Sequence, residues 1–285
     1  MELKVFADAE QFLDLAGDDL RRQEVVNNLI LGVATQLAEQ PPLWLTGEPY
    51  FAVVYGSQGF SAAGMHTPPF GLVLAVGGNQ PEEGVAVIAR NLMRRGRSLP
   101  DVNGPKPYPF IFSRLWTKLG GGSFRLEMAQ RAYELREVEK PSEVEGVFRA
   151  ADEKDVALLA NWMTAFSGEV FGEDTEPAKM AEMSRAYIDD GSCYLWQSEG
   201  KIVSMAIRTY TTERGATISY VYTPPDERRK GYASAVVAEL SQKCLNDGYA
   251  FCMLFTDLSN PTSNEIYMRI GYKTVMDFDK YKLSR

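Results

Sequence analysis

The spacing of apolar positions along this chain switches between every second residue and every third or fourth, which predicts strands and helices in alternation. The pattern is clearest after residue 145. Residues 148–150 read as a short strand, and Asp152 is placed to cap a helix with apolar positions Val156, Leu159, Met163 and Phe166. Thr175 and Pro177 open a second helix that runs towards Ile188 and stops at Gly191. Residues 193–197 and 202–210 form a hairpin about the turn Ser198-Glu199-Gly200. A strand at 216–223, a helix at 232–246, a strand at 249–256, a short helix at 262–270 and a strand at 272–281 follow.

The first half repeats this order more faintly. Asp18 is placed to cap a helix carrying Val26, Ile30, Val33 and Leu37, stopped by Pro41-Pro42. Residues 50–55 and 59–65 read as a hairpin and 70–76 as a strand. A helix at 81–95, a loop at 100–107, a helix at 109–119 and a strand at 124–135 complete it. Between the halves, charge and proline replace apolar periodicity in Val138-Glu139-Lys140-Pro141-Ser142-Glu143, which marks a linker between domains at 1–138 and 146–285. The expected fold is an α+β sandwich in each half, with helices on both faces of a mixed, mostly antiparallel sheet.

At 285 residues the chain has room for two domains of ordinary size, and 45% hydrophobic with 24% charged residues is a globular composition. Apolar runs stay short of the ~18 residues a membrane span needs, and the first residues lack a signal-peptide layout. The three cysteines cannot all pair, and with a single histidine they make a zinc site or disulfide framework improbable. The expectation is a reducing, cytoplasmic setting with no metal and no membrane partner. A net charge of −8 argues against nucleic acid as a general partner.

The stretch Val221-Tyr222-Thr223-Pro224-Pro225-Asp226-Glu227-Arg228-Arg229-Lys230-Gly231-Tyr232-Ala233 carries the strongest chemical signal. A strand ends at a double proline, consecutive cations follow, and a glycine leads into a helix. Backbone N–H groups at a helix start have no intrahelical partners, and the helix dipole adds positive potential there, so the pattern is that of an anion site. About thirty residues on, Asn260-Pro261-Thr262-Ser263-Asn264 opens a short helix that continues through Tyr267 and stops at Gly271-Tyr272. Together these two segments resemble the GNAT superfamily of N-acetyltransferases. Arg228, Gly231 and Ala233 match its pyrophosphate signature, and the second segment matches its later Asn…Asn…Tyr…Gly-Tyr helix.

The resemblance implies acetyl-CoA as co-substrate. It places the coenzyme's pyrophosphate on the N–H groups of Arg229, Lys230, Gly231, Tyr232, Ala233 and Ser234, helped by the charges of Arg228 to Lys230. The pantetheine arm would pair with the main chain of Val221, Tyr222 and Thr223. Tyr267 takes the place of the family's acid that protonates the departing thiolate, and Asn260 and Asn264 the place of cap and coenzyme-contact residues. Glu169, Glu173 and Asp174 fall in the loop between the first two helices, which faces the acceptor in the family. The implied acceptor is an amine-bearing small molecule or protein. A non-catalytic acetyl-CoA-binding module is the competing reading, and Tyr267 favours the enzyme.

In the first half the corresponding helix start reads Gly77-Gly78-Asn79-Gln80-Pro81-Glu82-Glu83. Glutamates in a first turn suit the helix dipole but repel a phosphate, so this half is expected to be a degenerate copy that binds no coenzyme. His66, before Thr67-Pro68-Pro69, reads as structural.

Overall fold

The computed structural model describes residues 1–39, 44–172 and 175–284. Pro41 and Pro42, expected to stop a helix, lie outside the described residues. The chain divides into two compact units. Unit 1 comprises Met1–Tyr133, Phe255–Asn260 and Thr274–Arg285; unit 2 comprises Glu134–Leu254 and Pro261–Lys273.

Unit 1 begins with β1 (Glu2–Phe6), α1 (Ala9–Arg21) and α2 (Asn28–Glu39). α1 adds a helix to the expected order and is capped by Asp8, whose carboxylate accepts the Gln11 N–H at 2.9 Å; Asp18, expected to cap the helix carrying Ile30, Val33 and Leu37, which is α2, lies inside α1. The apolar stripe Phe12, Ala16 and Leu20 drives that result, because it is buried and begins one turn after Asp8. β2 (Tyr50–Gly56), β3 (Gly59–His66) and β4 (Leu72–Val76) form an antiparallel meander. Tyr50 to Val54 are buried without alternation, because both faces of β2 are covered. Phe51 stacks on Phe12 of α1 at 4.9 Å, while Tyr50, Ala52 and Val54 join a core with Val85, Ile88 and Leu92 of α3 (Pro81–Arg94).

Residues 100–107, expected as a loop, contain the strand β5 (Asp101–Pro105), parallel to β4 through Leu72↔Val102 and Val73↔Asn103. α4 (Tyr108–Lys118) and β6 (Ser123–Leu135) follow. The larger correction concerns the last strand, β12 (Lys273–Ser284), expected to complete the second domain. It pairs antiparallel with β5 instead, from Phe278↔Pro105 to Lys282↔Asp101. Its side chains explain the choice. Leu283 is buried in the unit 1 core, Tyr281 packs with Phe110 and Phe124, and Asp277 receives two hydrogen bonds from Arg131 at 2.6 and 3.1 Å.

Unit 2 orders its strands β11-β10-β9-β8-β7, with β7 (Val147–Ala150), β8 (Cys193–Ser198), β9 (Lys201–Thr211), β10 (Gly215–Tyr222) and β11 (Phe251–Asp257). β7 to β10 are antiparallel, and β10 runs parallel to β11. α5 (Val156–Phe171) and α6 (Pro177–Asp189) pack Leu159, Met163 and Met180 on Leu195, Met205 and Ile207. α7 (Tyr232–Asn246) packs against β8, β9 and β10, and α8 (Pro261–Ile270) packs on α7.

Asp152, expected to cap α5, caps instead the 3-10 turn Glu153–Asp155 that leads into it, within a reciprocal box: its carboxylate accepts Lys154 N–H, and Asp155 accepts Asp152 N–H, each at 2.8 Å. Asp155 also takes two hydrogen bonds from Arg149 of β7, at 2.7 and 2.9 Å. Burial alone would raise the Asp155 carboxyl, but the bonds from Arg149 and Asp152 outweigh it and hold the pKa below its ordinary value. A depressed folded-state pKa gives stability that is present above the unfolded value, ~3.9, and is lost as pH falls through the folded one. Asp155→Asn should therefore melt below the wild type at neutral pH, by about 1.5–3 kcal/mol for the lost charged hydrogen bonds. The gap in thermal melts should narrow as pH falls below ~4; a gap unchanged with pH would show that the charge contributes nothing.

Candidate active site

In β10 a strand begins paired and then loses its neighbour. Registered pairs with β11 run from Gly215↔Phe251 to Thr217↔Met253, while β10 continues to Tyr222. On its other side the register with β9 shifts between Ser219 and Tyr222, a bulge centred on Tyr220, whose φ of 47° is left-handed. A bulge bends a strand and increases its twist, and an aromatic residue at positive φ is held there by its surroundings. The Tyr220 ring packs on Phe166 of α5 at 5.1 Å and Tyr187 of α6 at 6.2 Å. Past the bulge, the Ser204 hydroxyl donates to the Tyr222 carbonyl at 3.1 Å and lies 2.9 Å from the Thr223 hydroxyl, which pins the strand end.

From that end the chain makes a 3-10 turn at Pro225–Glu227 and passes through Arg228 to Gly231, which precedes α7. Arg229 and Gly231 are both left-handed, with φ of 66° and 87°. Turns with left-handed residues gather successive N–H groups into an anion-sized concavity. Gly231 as N-cap offers no side chain, so among the described residues the N–H groups of Tyr232, Ala233 and Ser234 have no capping partner. Glycine is required here twice over: by its φ, and because a Cβ would stand 2.8 Å from Cγ2 of Val144.

The cations of the turn differ in what holds them. Lys230 and Lys201 both donate to the buried Glu227, whose carboxyl these bonds hold below its ordinary pKa. Arg228 donates from Nε to the Thr223 carbonyl at 2.9 Å and makes a forked pair with Glu169 at 2.7 and 2.9 Å. Arg229 is exposed, and its side chain has no ion-pair or hydrogen-bond partner among the described residues. In this structure Lys230 and Arg228 are thus paired within the protein, and among the described residues Arg229 is the cation of the turn without such a partner.

Glu169 sits on the last turn of α5, not in the loop beyond it; the helix ends at left-handed Gly172. Glu173 and Asp174 lie outside the described residues. The Tyr222 hydroxyl also points to Glu169, at 3.4 Å, and the Arg228 guanidinium lies 5.7 Å from the Tyr222 ring centroid. Glu169, Tyr222, Thr223 and Arg228 are therefore brought into one cluster.

Tyr267 lies on α8, which starts at Pro261 directly after Asn260, with Asn264 in its first turn. The Tyr267 ring is buried edge-on against Tyr272 at 5.9 Å, and Tyr272 is fixed by a 2.9 Å hydrogen bond with Ser241 of α7. Among the described residues the Tyr267 hydroxyl has no hydrogen-bond partner. Burial raises its pKa above the ordinary phenol value of 10.

Sequence reasoning missed Glu227, Lys201, Tyr220 and Val144. The acid in Asp226-Glu227 followed by three cations was a signal that one of them would be used locally; the others left no local trace. In unit 1, α3 carries Glu82 and Glu83 in its first turn, and a Cβ on Gly78 would stand 2.3 Å from the Phe60 carbonyl oxygen, so its own turn already requires that glycine. His66 is buried, and burial first, then nearby Arg97, lower its pKa to about 4. Among the described residues no group of His, Cys, Asp and Glu is placed to hold a metal, and no helix is long and apolar enough to cross a membrane.

Residues 156–272 match the model of the acetyltransferase (GNAT) family. Among curated proteins no match was found. Of solved structures, a GNAT-family acetyltransferase from Colwellia psychrerythraea aligns over 100% of both chains with 9% identity and a TM-score of 0.59. A Drosophila protein aligns over 99% of this chain and 98% of its own, with 13% identity and a TM-score of 0.67. A GCN5-related N-acetyltransferase from Sphaerobacter thermophilus covers 87% and 84%, with 16% identity and a TM-score of 0.61. At these identities the likeness is one of fold, and it extends across both halves of the chain.

Proposed function

We propose that the protein is an N-acetyltransferase that transfers acetyl from acetyl-CoA to a primary amine, with its coenzyme site in unit 2 alone. The match of residues 156–272 to the GNAT acetyltransferase model supports acyl transfer from coenzyme A thioesters to nitrogen as the class. The observation that carries the finer reading is the uncapped start of α7, fronted by Arg229, at the end of a strand that has parted from its parallel neighbour. Those N–H groups and the Arg229 charge fit a pyrophosphate. In unit 1 the glutamates at the start of α3 oppose one.

Acetyl-CoA supplies the acetyl group as an activated thioester; the residues named here hold and polarise it. The main chain of Val221 to Thr223 would hold the pantetheine arm as an added strand, and an N–H of this stretch would stabilise the oxyanion. Tyr267 donates a hydrogen bond to the sulfur as its charge grows. Its raised pKa lies further above the ~8.5 of a thiol than an ordinary phenol's does, so complete proton transfer to a free thiolate is uphill. The hydroxyl therefore acts while the carbon–sulfur bond is breaking. Glu169 is held by Arg228 and Tyr222 in this state and is not a free base.

An acceptor screen that follows the free thiol of coenzyme A across amines and amino acids tests the proposal. Thiol release above the hydrolysis background with at least one amine is expected. Binding of acetyl-CoA with no release from any amine would favour a non-catalytic binding module.

A further inference from the structure

Arg228 and Glu169 stand 59 positions apart in sequence, yet Nη2 of Arg228 reaches both carboxylate oxygens of Glu169 beside the anion-binding turn. The pair is open to solvent, with 42% and 46% of its side chains exposed, so an incoming anion can compete for the guanidinium. Its surroundings are built around it. Arg228 Nε donates to the Thr223 carbonyl, the Tyr222 ring lies under the guanidinium, and the Tyr222 hydroxyl donates to Glu169 Oε1. One carboxylate on the last turn of α5 thus holds the first cation of the anion-binding turn and the end of the strand. Two residues beyond Glu169, α5 finishes and the loop to α6 begins.

We propose that Glu169 is a positioning residue that sequesters Arg228 in the free protein and releases it when the coenzyme's diphosphate binds. This inference rests on the proposed acetyl-CoA site. A diphosphate offers Arg228 more charge and more acceptor oxygens than one carboxylate does. When Arg228 turns to it, Glu169 is left without its cation at the C-terminal end of α5, and the Thr223 carbonyl loses its side-chain donor. A released carboxylate is the chemical complement of an ammonium group, so coenzyme binding creates the charge that a cationic amine requires. In the free state the same carboxylate opposes coenzyme binding, because the diphosphate must first break the pair.

The sign of one measurement separates this role from a structural one. A solvent-exposed pair is worth up to about 1 kcal/mol, so removing Glu169 as a competitor should tighten acetyl-CoA binding by about two- to fivefold in calorimetric titration of Glu169→Gln. Glu169→Asp keeps the charge and should stay within about twofold of the wild type. Loss of a negative charge near any anionic ligand also tightens binding, so the decisive arm repeats Glu169→Gln in an Arg228→Gln background. There the tightening should disappear, because no guanidinium remains to be released. Unchanged or weaker binding by Glu169→Gln, or equal tightening in both backgrounds, overturns the proposal while leaving the acetyl-CoA site intact. A wild-type protein that does not bind acetyl-CoA overturns both.

Discussion

Arg229→Glu will weaken acetyl-CoA binding by at least on the order of 100-fold, the largest affinity effect expected of any single residue here. Among the described residues Arg229 is the cation of the turn that is unpaired in the free protein, where Lys230 is held by Glu227 and Arg228 by Glu169. Charge reversal removes an attraction and adds a repulsion. A hydrogen bond to a charged group is worth about 1.5–3 kcal/mol, so two such changes come to about 3–6 kcal/mol, on the order of 100-fold or more. The fold should not change, because glutamate at the left-handed φ of 66° is about as strained as arginine. Arg229→Gly relieves that strain and only deletes the charge, so it should give an intermediate loss. Calorimetry should find one site per chain in the wild type. Two equivalent sites would mean that unit 1 also binds, against the repulsion expected from Glu82 and Glu83. Affinity unchanged in Arg229→Glu would move the pyrophosphate away from the start of α7.

The start of α7 was legible because its signal is local. A double proline ends a strand, cations mark a turn, and glycine supplies the conformation that the helix entry needs. The hairpin of β8 and β9 was legible for the same reason, with Gly200 in its turn. The partner of the last strand was not. Residues 273–284 carry a strand pattern, but alternation states which face is apolar and not which neighbour the backbone will take. Only the fit of Leu283 and Tyr281 into the unit 1 core, and of Asp277 to Arg131 of β6, selects the place between β5 and β6. β5 itself reads Asp-Val-Asn-Gly-Pro, a turn composition, and is a strand because β4 and β12 flank it.

The site divides in the same way. The anion-binding turn and the Tyr267 helix could be read from neighbouring residues. The pairing of Lys230 with Glu227, three residues away, left a local signal, but the pairing of Arg228 did not, because Glu169 arrives from a helix end 59 positions earlier. Gly168 and Gly172 offer two stops for α5, and only Gly172 is left-handed. That choice decides whether Glu169 belongs to the expected acidic loop or to a helix with a fixed partner. Exposed charge in a sequence therefore overstates the charge available to a ligand, and Arg229 is what remains after internal pairing.

Tyr267→Phe should lower turnover with acetyl-CoA by ~100-fold to 10,000-fold, the range of general acid–base groups, and leave acetyl-CoA affinity nearly unchanged. The structure makes this substitution unusually informative. The ring contact with Tyr272 survives the change, so packing is kept. The hydroxyl has no hydrogen-bond partner among the described residues, so its removal breaks no bond of the free protein, and thermal melting should stay within a degree or two. A purely structural tyrosine would give the reverse pattern, with melting shifted and turnover intact. An interaction made mainly in the transition state lowers turnover and leaves ground-state binding alone. The pH profile adds a second check. Burial raises the Tyr267 pKa, so the phenol stays protonated through the neutral and mildly alkaline range. Activity should therefore not fall between about pH 8 and 10 through loss of this proton. Equal turnover in Tyr267→Phe and wild type would assign the residue to packing and leave the sulfur to solvent.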